Sequence, residues 1–252
     1  MCEPQLDLSV VIPVFNERDN LEPLLKELQQ VLNRVGGSYE VLCIDDRSTD
    51  DSLQVLKSLQ KDRPYLRVVG HRINSGESAA QATGFEHARG AVLITMDADQ
   101  QNDPADIPAL LEALRDDVHA VCGVRSVRED DWVKKLSSRI ANGFRNAVTG
   151  DRVSDAGCTY RALRRTALHE IPVFNGMHRF LPTILRLQGY RVDEIKVNHR
   201  PRTRGKSKYG VGNRAWRGIV DCLAMRWFRT RCVRGDRASV QPRQLGTDHH
   251  HE

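Results

Sequence analysis

The chain is short of several things at once, and each shortage closes off a class of protein. No apolar run in its 252 residues approaches the roughly 20 that a membrane-spanning helix needs, so an integral membrane span is not expected. Six cysteines (Cys2, Cys43, Cys122, Cys158, Cys222, Cys232) are scattered without a Cys-X-X-Cys pair. That excludes a zinc-finger spacing and fits reduced, intracellular usage, with Cys43 and Cys122 as small core residues inside apolar runs. No Gly-X-Gly-X-X-Gly follows the first strand, which argues against a dinucleotide site. Gly205-Lys206-Ser207 resembles the end of a phosphate loop, but Arg200 stands where the first glycine is required. Met1 to Asp7 has no apolar stretch, so no signal peptide is expected and the predicted location is cytoplasmic. The tail with three consecutive histidines, ending at Glu252, reads as a disordered end and not as a metal site.

What is present is a soluble composition, 40% hydrophobic and 28% charged, long enough for one large α/β domain. The net charge of +5 is unevenly spread. Between Arg200 and Arg237 the acids are Asp221 and Asp236 alone, while the N-terminal half holds the acidic clusters. This asymmetry points to an anionic partner: phosphate, nucleic acid or a membrane surface. Apolar runs at Leu8 to Val14, Tyr39 to Ile44, Leu66 to Val69, Ala91 to Met96 and Ala120 to Val124 predict strands. Helical patterns lie between them, the clearest from Asn20 to Leu32 with Leu21, Leu24, Leu25 and Leu28 on one face. Alternation at this spacing predicts βαβ units, a parallel sheet, and functional groups at the strands' carboxyl ends. Glu17, Asp45, Asp46, Asp97 and Asp99 all fall at such ends.

Asp97 and Asp99 sit two residues apart where the fourth strand stops, so extended geometry would project both carboxylates to one side, with Gln101 continuing the period. Three hard oxygens there suit Mg²⁺ or Mn²⁺ bridging to substrate phosphates. The alternative is a solvated acidic turn.

The residues in order are Val10-Val-Ile-Pro-Val-Phe-Asn-Glu17, Ile44-Asp-Asp-Arg-Ser-Thr-Asp50, Asn74-Ser-Gly76, Met96-Asp-Ala-Asp-Gln-Gln101, Gly123-Val-Arg125, Ser138-Arg139, Asp155-Ala-Gly-Cys-Thr-Tyr-Arg161 and Arg204-Gly-Lys-Ser-Lys-Tyr209. From Leu8 to about Tyr209 they resemble the family 2 glycosyltransferases of GT-A fold, a mostly parallel α/β sheet flanked by helices. More narrowly they resemble the polyprenyl-phosphate glycosyltransferases of the dolichyl-phosphate mannose synthase type. The resemblance implies transfer of a sugar from a nucleotide-sugar to a polyprenyl phosphate, with inversion. It implies a nucleotide held by Pro13, Phe15, Glu17, Asp45 and Asp46, with Asp97 beside the donor, and a metal on Asp97, Asp99 and Gln101. Phe15 stands where Tyr is common and Arg47 where Gly is common.

For the acceptor phosphate the candidates are Arg125 and Arg139, with Arg204, Ser207 and Lys208 in a basic loop that closes over the site in the resembled enzymes. Asp155 reads as a base or as a positioning residue, and Arg161 as its possible partner. Asp99, Arg125 and Asp155 are the catalytic candidates. A family 2 enzyme acting on a saccharide or lipid-A-type acceptor is a rival reading. So is a non-catalytic basic module, although no aromatic stacking platform accompanies the basic loop and nucleic acid is not expected. The predicted organisation is a transferase domain at 1–209, a basic amphipathic helix at 210–237 and a disordered tail at 238–252. In that helix Trp216, Ile219, Val220, Leu223, Ala224 and Trp227 form a stripe ringed by arginines. It either packs on the sheet or lies on an anionic membrane surface, peripheral on the cytoplasmic face.

Overall fold

The computed structural model describes residues 5–125, 143, 145–169, 171–201 and 212–232, with side chains of the last helix described from 218 onward. The apolar runs become strands as expected. β1 (Leu6–Val14) lies inside a seven-stranded sheet, between β2 (Tyr39–Asp45) and β4 (Gly90–Thr95), both parallel to it. Its β-branched Val10, Val11 and Ile12 are each 0% exposed, buried from both faces, which is why the run is continuous and not alternating. β3 (Leu66–Gly70) closes that edge, parallel to β2.

Two apolar layers cover the sheet. On one face, α1 (Arg18–Val35) buries Leu21, Leu24, Leu25, Leu28 and Leu32, and α2 (Ser52–Lys61) adds Leu56. Truncating Leu28 or Leu32 to Ala would cost about 2–5 kcal/mol of stability. On the other face lies α3 (Glu77–His87), whose small residues let it sit close to the sheet. A Cβ added at Gly84 would stand 2.2 Å from Cγ1 of Val11, so this contact is closed to any larger residue. Cys43, Cys122, Cys158 and Cys222 are buried free thiols in these layers, and burial pushes the Cys43 thiol up to about 12.

The second half departs from simple alternation. After a short 3-10 turn (Pro104–Asp106) and α4 (Ile107–Ala113), β5 (Ala120–Arg125) does not pair with β4. β6 (Arg161–Arg164) is wedged between them and runs antiparallel to both. α5 (Met177–Leu187) packs with α3 on one face, β7 (Val192–Val197) pairs parallel with β5, and α6 (Gly212–Arg231) follows. The sheet order is β3-β2-β1-β4-β6-β5-β7. β6, α5 and β7 were not anticipated as elements; the antiparallel wedge is what brings the residues before Arg161 to the end of β4. Among the described residues no helix is long and apolar enough to cross a membrane.

Candidate active site

The loops after β1 and β2 are stapled to each other. The Asn16 side-chain carbonyl accepts from the Thr49 and Asp50 amides at 2.7 and 3.3 Å, and the Glu17 amide donates to Ser52 Oγ at 3.0 Å. Arg47 sits at φ 61°, the left-handed region, which explains physically why glycine suits that position. Asp46, 3% exposed, accepts from the amides of Ser75 (2.8 Å) and Gly76 (2.7 Å) and faces Nδ1 of His71 at 2.8 Å. Both of its oxygens therefore hold the 71–76 loop that leads into α3. Asp45 is different. Its Oδ2 accepts from the Ser48 amide at 3.2 Å, but Oδ1 is buried without a hydrogen-bond partner among the described residues. A buried acceptor left unsatisfied is costly, so this oxygen is suited to an incoming N–H donor. Pro13 and Phe15 line the same strand end, half-buried, and Glu17 Oε2 accepts from Asn20 Nδ2 at 2.6 Å.

At the end of β4 the chain does not stay extended. Residues 98 and 99 form a turn and Gln100 has φ 62°, so strand alternation does not set the direction of Asp99, contrary to expectation. The turn itself places Asp99, whose Oδ1 accepts from the Gln101 amide at 3.1 Å. Asp97 Oδ1 accepts from Thr159 Oγ1 at 2.8 Å, and its amide donates to Asn102 Oδ1 at 2.9 Å. Burial, then the charge of Asp99, pushes the Asp97 carboxyl up to about 6. A carboxyl raised by a neighbouring carboxylate is one whose charge a divalent cation would relieve.

The Gln101 amide nitrogen lies 3.3 Å from His199 Nε2 and 3.3 Å from the Arg200 carbonyl, so its oxygen is the end left for a hard cation. Among the described residues no three His, Cys, Asp or Glu side chains form a metal cage. The set instead fits a site of two carboxylates and an amide completed by substrate phosphates and water. Arg200, paired with Glu27 at 2.8 Å and Asp103 at 2.7 Å, pins the segment carrying His199 against this turn.

Across the β6 wedge, Arg125 and Asp155 form a two-pronged ion pair, Nε to Oδ2 and Nη2 to Oδ1 both at 2.7 Å. The Gly157 amide donates to Asp155 Oδ1 at 3.2 Å, and a Cβ at Gly157 would stand 2.9 Å from Arg125 Nη2. Arg161, expected as the partner of Asp155, is not. It is 0% exposed, donates through Nη2 to the Cys158 carbonyl at 2.8 Å, and has no hydrogen-bond partner at Nε and Nη1 among the described residues. Its charge, like that of Arg125, acts on Asp97 and favours the ionised acid. Arg139, Arg204, Ser207 and Lys208 lie outside the described residues. Sequence reasoning missed Thr159 and the role of Arg161. The hydroxyl two positions before Arg161 carried no local signal, because its partner is 62 residues away.

Residues 9–172 match the family described as Glycosyl transferase family 2. The chain is 38% identical over 206 residues to the undecaprenyl-phosphate 4-deoxy-4-formamido-L-arabinose transferase of Edwardsiella ictaluri, a match covering 81% of this chain and 63% of that protein. It is 34% identical over 228 residues to the dodecaprenyl-phosphate galacturonate synthase of Rhizobium johnstonii, covering 88% and 67%. The chain thus spans about two thirds of the length of these relatives. Among solved structures, glucosyl-3-phosphoglycerate synthase of Mycobacterium tuberculosis with Mn²⁺, UDP and product superposes with a TM-score of 0.65. It is 17% identical and covers 92% of this chain and 82% of that one, a likeness of fold alone. The mostly parallel sheet with its antiparallel wedge is accordingly the GT-A fold, and the chain belongs to glycosyl transferase family 2.

Proposed function

We propose that this chain carries the transfer unit of a polyprenyl-phosphate glycosyltransferase, moving a sugar from a nucleotide diphosphate to a polyprenyl phosphate with inversion. The observation that carries the reading is the meeting of opposite charges at one sheet edge. The buried Asp97–Asp99 turn and the Arg125–Asp155 clamp stand close enough that Asp97 and Arg125 act on each other's ionisation.

A phosphate monoester has a second pKa of about 6 and is largely dianionic at neutral pH, so the acceptor needs no strong base. One of its oxygens attacks the anomeric carbon, the bond from that carbon to the diphosphate breaks, and the nucleoside diphosphate leaves with the electron pair. Arg125 takes the acceptor phosphate bidentately, and Asp155 orients the guanidinium until it arrives. That assigns Asp155 to positioning and not to proton removal. Asp45 Oδ1 accepts an N–H of the base, Phe15 offers it a stacking face, and Pro13 and Glu17 border the ribose. Asp97, Asp99 and Gln101 would hold Mg²⁺ or Mn²⁺, which when bound stabilises the departing diphosphate as a Lewis acid. Arg139, Arg204, Ser207 and Lys208, outside the described residues, are the further acceptor-phosphate candidates of this reading.

Access to a lipid substrate falls to α6. Cys222 and Met225 pack into the body and Arg229 donates to the Thr149 carbonyl, while Ile219 (37%), Val220 (47%), Leu223 (55%) and Trp227 (65%) are exposed, with Arg226 alongside. The helix thereby has one face for the protein and one for an anionic membrane surface, peripheral on its cytoplasmic side.

The test is Mg²⁺- or Mn²⁺-dependent transfer from radiolabelled UDP- and GDP-sugars into organic-extractable undecaprenyl phosphate. Label should enter the lipid and be lost in Asp99→Asn and Arg125→Ala. Donor binding without lipid labelling would refute the acceptor, and no donor binding would refute the enzyme.

A further inference from the structure

Arg229 lies near the end of α6 and reaches back to the body, donating from Nη1 to the Thr149 carbonyl at 3.2 Å. Thr149 is buried and ends a helical stretch over 145–149. The last carbonyls of a helix lack partners within it, and a guanidinium caps them with charge of the favourable sign. Gly150 makes the seat. Its φ of 68° lies in the left-handed region, and a Cβ there would stand 1.5 Å from Arg229 Nη1, so a larger residue evicts the guanidinium.

From that seat a chain of contacts runs to the acceptor clamp. The Asn146 carbonyl accepts from the Gly150 and Asp151 amides at 2.8 and 3.2 Å. The Asn146 side chain closes the other end of the loop: Nδ2 donates to the Val153 carbonyl at 3.1 Å, and Oδ1 accepts from the Val153 amide at 3.3 Å. Ser154 follows, its amide on Glu194 Oε1 at 3.1 Å, and then Asp155 with both oxygens on Arg125. Asp151 anchors the middle of the loop to Arg186 of α5 at 2.8 Å, so loss of Arg229 shifts the loop without releasing it. The two-pronged pair depends on where the carboxylate is presented, and a displacement of about 1 Å is enough to spoil productive geometry.

We propose that Arg229 is a positioning residue for the acceptor. Seated at Gly150, it sets the 146–155 segment so that Asp155 presents Arg125 to the acceptor phosphate. The helix with the exposed apolar face is thereby joined to the group that takes the phosphate. This inference rests on the acceptor site proposed above.

Steady-state transfer to undecaprenyl phosphate dispersed in neutral detergent tests it, with donor binding followed separately by calorimetry. Arg229→Ala, and Gly150→Ala where it folds, should raise the acceptor KM about tenfold, with donor Kd unchanged and kcat within about threefold. Arg229→Lys can still reach the Thr149 carbonyl and should hold KM within about threefold of the wild type. On an Asp155→Asn background, Arg229→Ala should add less than about twofold, because both act through one carboxylate. An unchanged acceptor KM in Arg229→Ala overturns the inference. So does a full tenfold addition on Asp155→Asn, which would make Arg229 a contact to the lipid surface, and so does an equal loss of donor affinity, which would make it a general support. In each case the proposed acceptor site stands. Failure of the wild type to label undecaprenyl phosphate overturns that site and this inference with it.

Discussion

On the β1–β2 side of the strand-end cleft, carboxylates are held by neutral backbone donors; on the β5 side, Asp155 is held by a guanidinium. Asp46 receives two amides and faces a histidine, and Asp45 receives one amide. Those bonds tie the loops together, and they leave Asp45 Oδ1 a buried acceptor without a hydrogen-bond partner among the described residues. The Arg125–Asp155 pair is the reverse. Its charges are matched, and an anion of suitable shape can compete with Asp155 for the same two N–H groups. On the proposed function, the nucleotide side would be prepared by rigidity and the acceptor side by an exchangeable contact.

The comparison is tested most severely where the two sides meet. Asp99→Asn should lower lipid labelling by about 10³-fold or more and weaken the Mn²⁺ dependence of donor binding, because it removes an anion from the cation site. On the scaffold side, Asp46→Ala strands the Ser75 and Gly76 amides and should cost about 3 kcal/mol in denaturant unfolding. If its midpoint does not move, the loop is held by something else.

On the exchangeable side, Arg125→Ala should lower transfer about 10²-fold and, by leaving a largely buried Asp155 without its guanidinium, lower the unfolding midpoint as well. Asp155→Asn should lower transfer less, and the double variant no more than Arg125→Ala alone, since the two act as one unit. Additive losses would separate their roles.

A smaller effect comes from pH. Burial, then Arg179, depresses His178 to about 3, so the unfolded chain binds a proton that the folded chain refuses. Stability from this group is full above about 6.5 and falls as pH drops below it, by about 2 kcal/mol at pH 5. His178→Gln should flatten that limb of a pH-dependent unfolding series. The smallest effect is expected at α6: Trp227→Ser should weaken binding to anionic vesicles about tenfold and leave the thermal midpoint unchanged. A shifted midpoint with unchanged vesicle binding would make the exposed face structural.

Much of the first half was legible because its signals are local. The continuous apolar runs of β1, β2 and β4 announce strands buried on both faces, and Leu21, Leu24, Leu25 and Leu28 announce α1 within one period. The acids at those strand ends follow from register alone. The second half was less legible. β6 is four residues with arginine at both ends, and α5 carries a histidine, two arginines and a proline, so neither offers a clean period. Their stability comes from neighbours distant in sequence: β6 pairs Thr95 with Arg161 on one side and Cys122 with Arg161 on the other.

The chain's residues by themselves determined the alternating architecture, the acidic strand ends and the family, because periodicity and motif spacing are properties of adjacent residues. Tertiary structure decided which of those acids remain available. It gave Asp46 to a loop and left Asp45 Oδ1 open, paired Asp155 with Arg125 and not with Arg161, and set Thr159 against Asp97 through an antiparallel wedge. A carboxylate's chemistry depends on its donors and its burial, and both are supplied by segments tens of residues away.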